Sequence, residues 1–156
     1  MALTLRAFSD GDLEPLFVWE SDARAVQMAA FTRADPSDRA AFDAHYERVR
    51  SNPDNTLLAI EDDGEFVGTV ASFAMFGERN VSYWISPERW GEGLASAALR
   101  AFLAIESTRP LVGRVASHNV GSAKVLERAG FAEVATETAF APGVGADVVE
   151  RIFRLS

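Results

Sequence analysis

The residues with the most to offer chemically lie in one stretch, Tyr83-Trp84-Ile85-Ser86-Pro87-Glu88-Arg89-Trp90-Gly91-Glu92-Gly93-Leu94-Ala95-Ser96. A β-rich run ends there, a short loop carries two glycines, and a helix opens with Leu94, Ala98, Phe102 and Ile105 along one face. Absent or small side chains at Gly91, Gly93 and Ala95 let the backbone approach a ligand closely. The N–H groups of a first helical turn have no partner within the helix and carry the positive end of its dipole. Strand, glycine turn and helix N-terminus together make a seat for phosphate. A ligand-free strand-to-helix turn accounts for these residues equally well. A dinucleotide fingerprint accounts for them poorly, because Ser96 stands where its third glycine belongs. Gly113 and Arg114 stand where that fold places an acidic ribose ligand.

A second cluster is His118-Asn119-Val120-Gly121-Ser122-Ala123-Lys124-Val125-Leu126-Glu127-Arg128-Ala129-Gly130-Phe131. Asn119 suits a helix N-cap, a device worth about 1 kcal/mol. Ser122 puts a hydroxyl in the first turn, Val125, Leu126 and Ala129 face a core, and Gly130 suits the left-handed C′ position. Singly, each of these residues is also ordinary helix punctuation.

Composition removes whole classes of function. The chain has 156 residues and no cysteine, which excludes a disulfide framework, a thiolate zinc site and a cysteine nucleophile. Its two histidines, His45 and His118, are too far apart for a two-histidine metal helix, and no metal is expected. With 23 acidic against 15 basic residues the net charge is −8, unsuited to sequence-independent nucleic-acid binding. Only one basic residue, Lys124, is a lysine. The N-terminus shows no signal peptide, and no stretch approaches the roughly 20 apolar residues of a membrane span. A cytoplasmic protein without a membrane or nucleic-acid partner is expected.

The elements that must position these clusters follow from periodicity and punctuation. Leu3 to Ala7 alternates as a strand, and Ser9 with Asp12 marks a helix start, with Phe8 and Leu13 in the staple positions. Leu13, Leu16 and Phe17 form that helix's apolar face, and residues 23–31 read as a short second helix. Asp35 as N-cap with Pro36 in the first helical position predicts a third. Phe42, Tyr46 and Val49 are its buried stripe, and Ser51-Asn52-Pro53 its stop. Strands at Thr56–Glu61 and Glu65–Phe76 flank an Asp62-Asp63-Gly64 turn, and Gly77-Glu78 turns the chain into a third strand, Asn80–Ser86. A helix (93–106), strand (111–116), helix (120–129) and strand (131–140) come next. A Pro142–Gly145 loop and a closing strand (147–155) follow. This order predicts one α+β domain over residues 1–156, with helices packed on a mostly antiparallel sheet.

In this setting Trp90-Gly91-Glu92-Gly93-Leu94-Ala95 resembles the Q/R-x-x-G-x-G/A pyrophosphate loop of the GNAT acetyltransferase superfamily. Trp90 replaces the Gln/Arg, and with Tyr83-Trp84-Ile85 and Pro87 it resembles the RimJ/RimL-like branch. The Asn119-to-Phe131 stretch is similar to the family's second signature, and the element order matches over nearly the whole chain. The resemblance implies a GNAT acyl-CoA N-acyltransferase fold, a mixed seven-stranded sheet flanked by helices and splayed between strands 4 and 5. It implies acetyl-CoA as co-substrate, held by Tyr83, Trp84, Ile85, Trp90, Gly91, Glu92, Gly93, Leu94, Ala95, Ser96, Asn119 and Lys124. Tyr83 and Ile85 would pair with the pantetheine arm as an added strand would.

The implied reaction is direct attack of a primary amine, whether a protein N-terminus, an amino acid or a small amine, on the thioester in a ternary complex. Ser122 is the implied acid for the departing thiolate, with Asn119 beside it. Where relatives often carry a Glu base the chain has Asn80, and Ser82 replaces a Gly, so the base candidates are Glu78, His118, His45 and Tyr83. The alternatives are a non-catalytic acyl-CoA-binding sensor on the same fold and a dimer-forming scaffold with a vestigial site. Apolar residues in the last strand suit an edge pairing or the core equally, so monomer and homodimer both stand.

Overall fold

The computed structural model describes residues 2–156. Asp63 and Gly64, both at positive φ, turn β2 (Thr56–Asp62) back as β3 (Glu65–Met75). A second turn at Phe76-Gly77 returns the chain as β4 (Glu78–Ile85). With β1 (Leu3–Ala7) on its outer side, this antiparallel meander forms one half of the sheet. The other half is β5 (Leu111–Ala116), β6 (Ala132–Ala141) and β7 (Ala146–Leu155), and the full order is β1-β2-β3-β4-β5-β7-β6. Among the described residues the only parallel pair is β4 with β5, and it joins the two halves at Arg79–Leu111 and Asn80–Val112 alone. Past Asn80 the strands part, which is the splay the resemblance implies.

Helices cover both faces. On one, α4 (Leu94–Leu103) and α5 (Val120–Arg128) bury Leu99, Phe102 and Leu126 against Ile60, Val70 and Phe153. On the other, α1 (Leu13–Ser21), α2 (Ala23–Ala29) and α3 (Arg39–Ser51) contribute a smaller core around Leu16, Phe42 and Tyr46. The Ser9–Asp12 capping box is formed, and it opens a 3-10 turn (Asp10–Asp12) that runs into α1. Burial works to raise the Asp12 carboxyl, but paired Arg6 hydrogen bonds and the Ser9 N–H outweigh it and hold the group below its ordinary value.

Two helix boundaries differ from expectation by more than two residues. Helix α3 starts at Arg39 with Asp38 as its N-cap, accepting from Ala41 N at 3.0 Å, and Pro36 lies outside it. Asp35 instead closes a local turn on Ser37, and the Pro36 carbonyl accepts from Ser21 Oγ and Arg33 Nη2. These local bonds and the tertiary one from Ser21 hold the segment off a helical path. Helix α4 stops at Leu103, leaving Ile105 58% exposed instead of on the buried stripe. Among the described residues no helix is long and apolar enough to cross a membrane.

Candidate active site

The parting of β4 and β5 leaves one edge of β4 without a partner strand. The Ser86 N–H donates to Val67 O on β3 at 2.8 Å, so alternation along the strand turns the backbone groups of Tyr83 and Ile85 the other way, into the fork. The Trp90 indole donates to Ile85 O at 3.0 Å. Trp90 therefore straps the glycine turn to the end of β4, and the Tyr83 N–H and C=O and the Ile85 N–H are left on the open edge.

The glycine turn closes one end of this cleft. Gly91 (φ 83°) and Gly93 (φ 77°) adopt left-handed conformations that side chains resist, and no atom lies within 4 Å of where a Cβ would stand on either. The space above the turn is open. Gly93 is the N-cap of α4, and the first-turn N–H groups of Leu94, Ala95 and Ser96 have no helical partner. Among the described residues no group of His, Asp or Glu is arranged to hold a metal.

Helix α5 supplies the opposite wall. Asn119 caps it, its Oδ1 accepting from Ser122 N at 3.2 Å, and so fixes the first turn. The Ser122 hydroxyl meets the Tyr83 phenol, with Oγ and Oη 2.7 Å apart, and the same phenol lies 3.1 Å from Ser122 O. Burial pushes the Tyr83 phenol up to about 12, against the opposing effect of its Ser122 bond. It is a neutral hydroxyl throughout the physiological range.

The roof is α2, whose Ala25, Met28 and Ala29 face the cleft. It is latched twice. His118 Nε2 lies 2.8 Å from Gln27 O, and the β6–β7 turn docks on its C-terminal end through Gly143 N–H to Ala30 O at 2.8 Å. The cleft, open on one side, has a volume of about 580 Å³.

Of the residues expected here, Tyr83, Trp84, Ile85 and Trp90 line the β4 side. Gly91, Gly93, Leu94, Ala95 and Ser96 line the turn, and Asn119 and Ser122 line α5. Trp84 packs mainly on the α1–α3 side, with its indole nitrogen buried and unpartnered. Two expected contacts do not reach the cleft. The Glu92 carboxylate pairs with Arg89 at 3.0 Å, and Lys124 points off the wall into solvent. The α5 residues on the wall are Val120, Gly121, Ser122, Val125 and Arg128, whereas Lys124 is exposed and not among them. Arg128 is the cation α5 brings to the cleft. Arg89 also lines it, but Asp62, Glu65 and Glu92 share its guanidinium.

Among the base candidates, His118 and Tyr83 line the cleft, whereas Glu78 and His45 do not. The Asn80 amide holds the β3–β4 turn, donating to Met75 O and Glu78 O. Sequence reasoning missed the Tyr83–Ser122 contact, the α2 roof and Arg128. Of these, only Arg128 had a signal in the sequence, as a cation three residues after the expected core position Val125 on the same helix.

The fold is shared widely. A spermidine N-acetyltransferase from Vibrio cholerae, crystallised with CoA and spermine, superposes with a TM-score of 0.80 at 20% identity, over 97% of this chain and 94% of that one. The RimJ protein of Mycobacterium smegmatis, in complex with CoA-disulfide, gives 0.80 at 21% identity over 98% and 81%. The aminoglycoside acetyltransferase AAC(6')-Ib, with ribostamycin and coenzyme A, gives 0.77 at 19% over 97% and 93%. No curated protein matches the sequence. The family model described as an acetyltransferase (GNAT) domain matches residues 2–132. Together with the forked seven-stranded sheet, that match makes this chain a member of the GNAT acetyltransferase family.

Proposed function

We propose that this chain is an acetyl-CoA-dependent N-acetyltransferase acting on a primary amine in a ternary complex. The observation that carries the reading is the open β4 edge, which runs from a phosphate-suited helix N-terminus to a pair of hydroxyls at the fork. Structural neighbours crystallised with coenzyme A and with amine compounds support the same class.

Acetyl-CoA supplies an acyl thioester whose carbonyl is open to attack by a neutral amine. The residues present fit it. Backbone N–H groups at Gly91, Gly93, Ala95 and Ser96 would hold the pyrophosphate, and Arg128 adds a cation on the same wall. The free groups of Tyr83 and Ile85 would hold the pantetheine arm as a neighbouring strand would. Ser122 stands at the start of a helix, where a donor hydroxyl and the helix dipole both favour a departing thiolate. If His118 donates through Nε2 to Gln27 O, its Nδ1 is left as an acceptor for the amine's proton. An α-amino group, with a pKa near 8, is already about one-tenth neutral at pH 7 and asks little of a base. That favours a protein N-terminus or an aminoacyl compound over an aliphatic amine.

One observation favours the sensor reading: among the described residues no carboxylate lines the cleft. Release of free thiol from acetyl-CoA across a panel of α-amino and aliphatic amines separates the two. Turnover with an α-amino acceptor supports the transferase. Stabilisation of the fold by acetyl-CoA with no turnover on any amine rejects it in favour of the sensor.

A further inference from the structure

The Tyr83 phenol is a buried hydroxyl at the fork of the sheet. It sits between two oxygens of one residue, 2.7 Å from Ser122 Oγ and 3.1 Å from Ser122 O. Two protons are shared among three oxygens, so the pair has two arrangements. In one, the phenol donates to the Ser122 carbonyl and Ser122 donates back to the phenol, with its proton turned away from the cleft. In the other, the phenol donates to Ser122 Oγ and the serine proton is free to point into the cleft. A negative charge arriving at the fork selects the second. The phenol then acts as a donor behind the serine, strengthening its hydrogen bond without itself reaching the ligand.

Given the coenzyme A reading above, on which it rests, we infer that Tyr83 is a positioning residue that orients the Ser122 hydroxyl toward the sulfur and so stabilises it as a thiolate. No proton need leave either hydroxyl. When the carbon–sulfur bond breaks, its electron pair stays on sulfur, and Ser122 donates a hydrogen bond to it. The other ionisable groups on the cleft wall are Arg89, His118 and Arg128. Arg89 is already shared among three carboxylates, and His118 is turned toward Gln27.

The test needs no acceptor amine. Coenzyme A is bound to the intact chain, and its thiol is titrated by thiolate difference absorbance. The chain has no cysteine, so the ligand carries the only thiol in the complex. Both of its tyrosines, Tyr46 and Tyr83, are pushed well above their ordinary value by burial, which leaves the optical window clear. The bound thiol should titrate below free coenzyme A. Ser122→Ala should raise the midpoint by about one pH unit, the size expected for one hydrogen bond to a charged group. Tyr83→Phe, which keeps the ring in place, should raise it by about half as much. In the Ser122→Ala background Tyr83→Phe should add nothing, and Ser122→Thr should retain the wild-type midpoint.

A bound thiol that titrates with free coenzyme A overturns the inference and leaves the cofactor reading standing. A Tyr83→Phe shift of equal size in both backgrounds also overturns it, because Tyr83 would then act directly. Failure of the wild-type chain to bind coenzyme A overturns both.

Discussion

Gly143 is the point at which the β6–β7 turn meets the roof of the cleft, and replacing it with alanine tests whether that contact carries weight. A Cβ there would stand 2.4 Å from Val26 O, and 2.9 Å from both Ala30 O and Thr32 Oγ1. A carbon–oxygen contact normally needs about 3.3 Å, so something must move by nearly 1 Å. The carbonyls cannot turn aside easily. Val26 O already accepts from Ala30 N at 2.9 Å, and Ala30 O accepts from Gly143 N at 2.8 Å. Overpacking costs about 1–3 kcal/mol, and a weakened Gly143–Ala30 hydrogen bond adds about 1 kcal/mol. The expected loss is about 3 kcal/mol, or roughly 6–12 °C in Tm for a chain of this size. Two controls set the scale. Gly145→Ala meets no atom within 4 Å but sits at φ 78°, so it should cost about 1–2 kcal/mol from backbone strain alone. Gly11→Ala meets neither problem and should fall within about 0.5 kcal/mol of wild type. Thermal melts of the three variants give the ranking, and the KM for the acceptor should rise in Gly143→Ala because α2 lines the cleft. A Gly143→Ala protein that melts no lower than Gly145→Ala would refute the reasoning.

Three further outcomes follow from the same geometry. Arg128→Gln should weaken coenzyme A binding about tenfold by calorimetry, while Lys124→Gln should leave it within about twofold, since only the former side chain is on the wall. Equal effects would return Lys124 to the site. Gly93→Ala should cost about 1–2 kcal/mol in stability for its left-handed conformation, yet should lose far more in coenzyme A affinity, because strain at the N-cap redirects the first-turn N–H groups. Asp12→Asn should cost about 1–3 kcal/mol at pH 7, measured by urea titration. The native carboxyl lies below its unfolded value, so its stabilisation is present above about pH 4 and fades as pH falls through the folded value. The stability curves of the wild type and the Asp12→Asn variant should therefore converge in acid, and a constant gap would contradict the assignment.

Much of the fold was legible because its signals are local. Alternation, the Asp62-Asp63-Gly64 turn and the Asn119 cap each act within a few residues, and the strands and helices stand close to where those signals put them. The start of α3 was not legible, because Pro36 is a good first helical residue in isolation, whereas its carbonyl is held by Ser21 at the end of α1 as well as by nearby Arg33. The glycine turn and the α5 signature were legible as a phosphate seat and a capped helix. What they bring together was not. The Tyr83–Ser122 contact joins positions 39 residues apart, the Gly143–Ala30 latch joins more distant ones, and neither leaves a periodic trace. Lys124 was not legible as an outside residue, because Val120 and Gly121, four and three residues before it, do line the cleft while its own side chain is exposed away from it.

The exposed placement of Lys124 has a consequence for the chain as a target of acetyl thioesters. Acetyl thioesters modify neutral amines, and arginine guanidinium groups, always protonated, are inert toward them. A protein whose cations are arginine except for Lys124 offers acetyl-CoA a single ε-amine, and α5 turns that amine outward, away from the cleft. On the proposed reading, acetyl groups delivered at the fork would be kept from the chain itself, and an acetylated Lys124 would record chemistry done from outside.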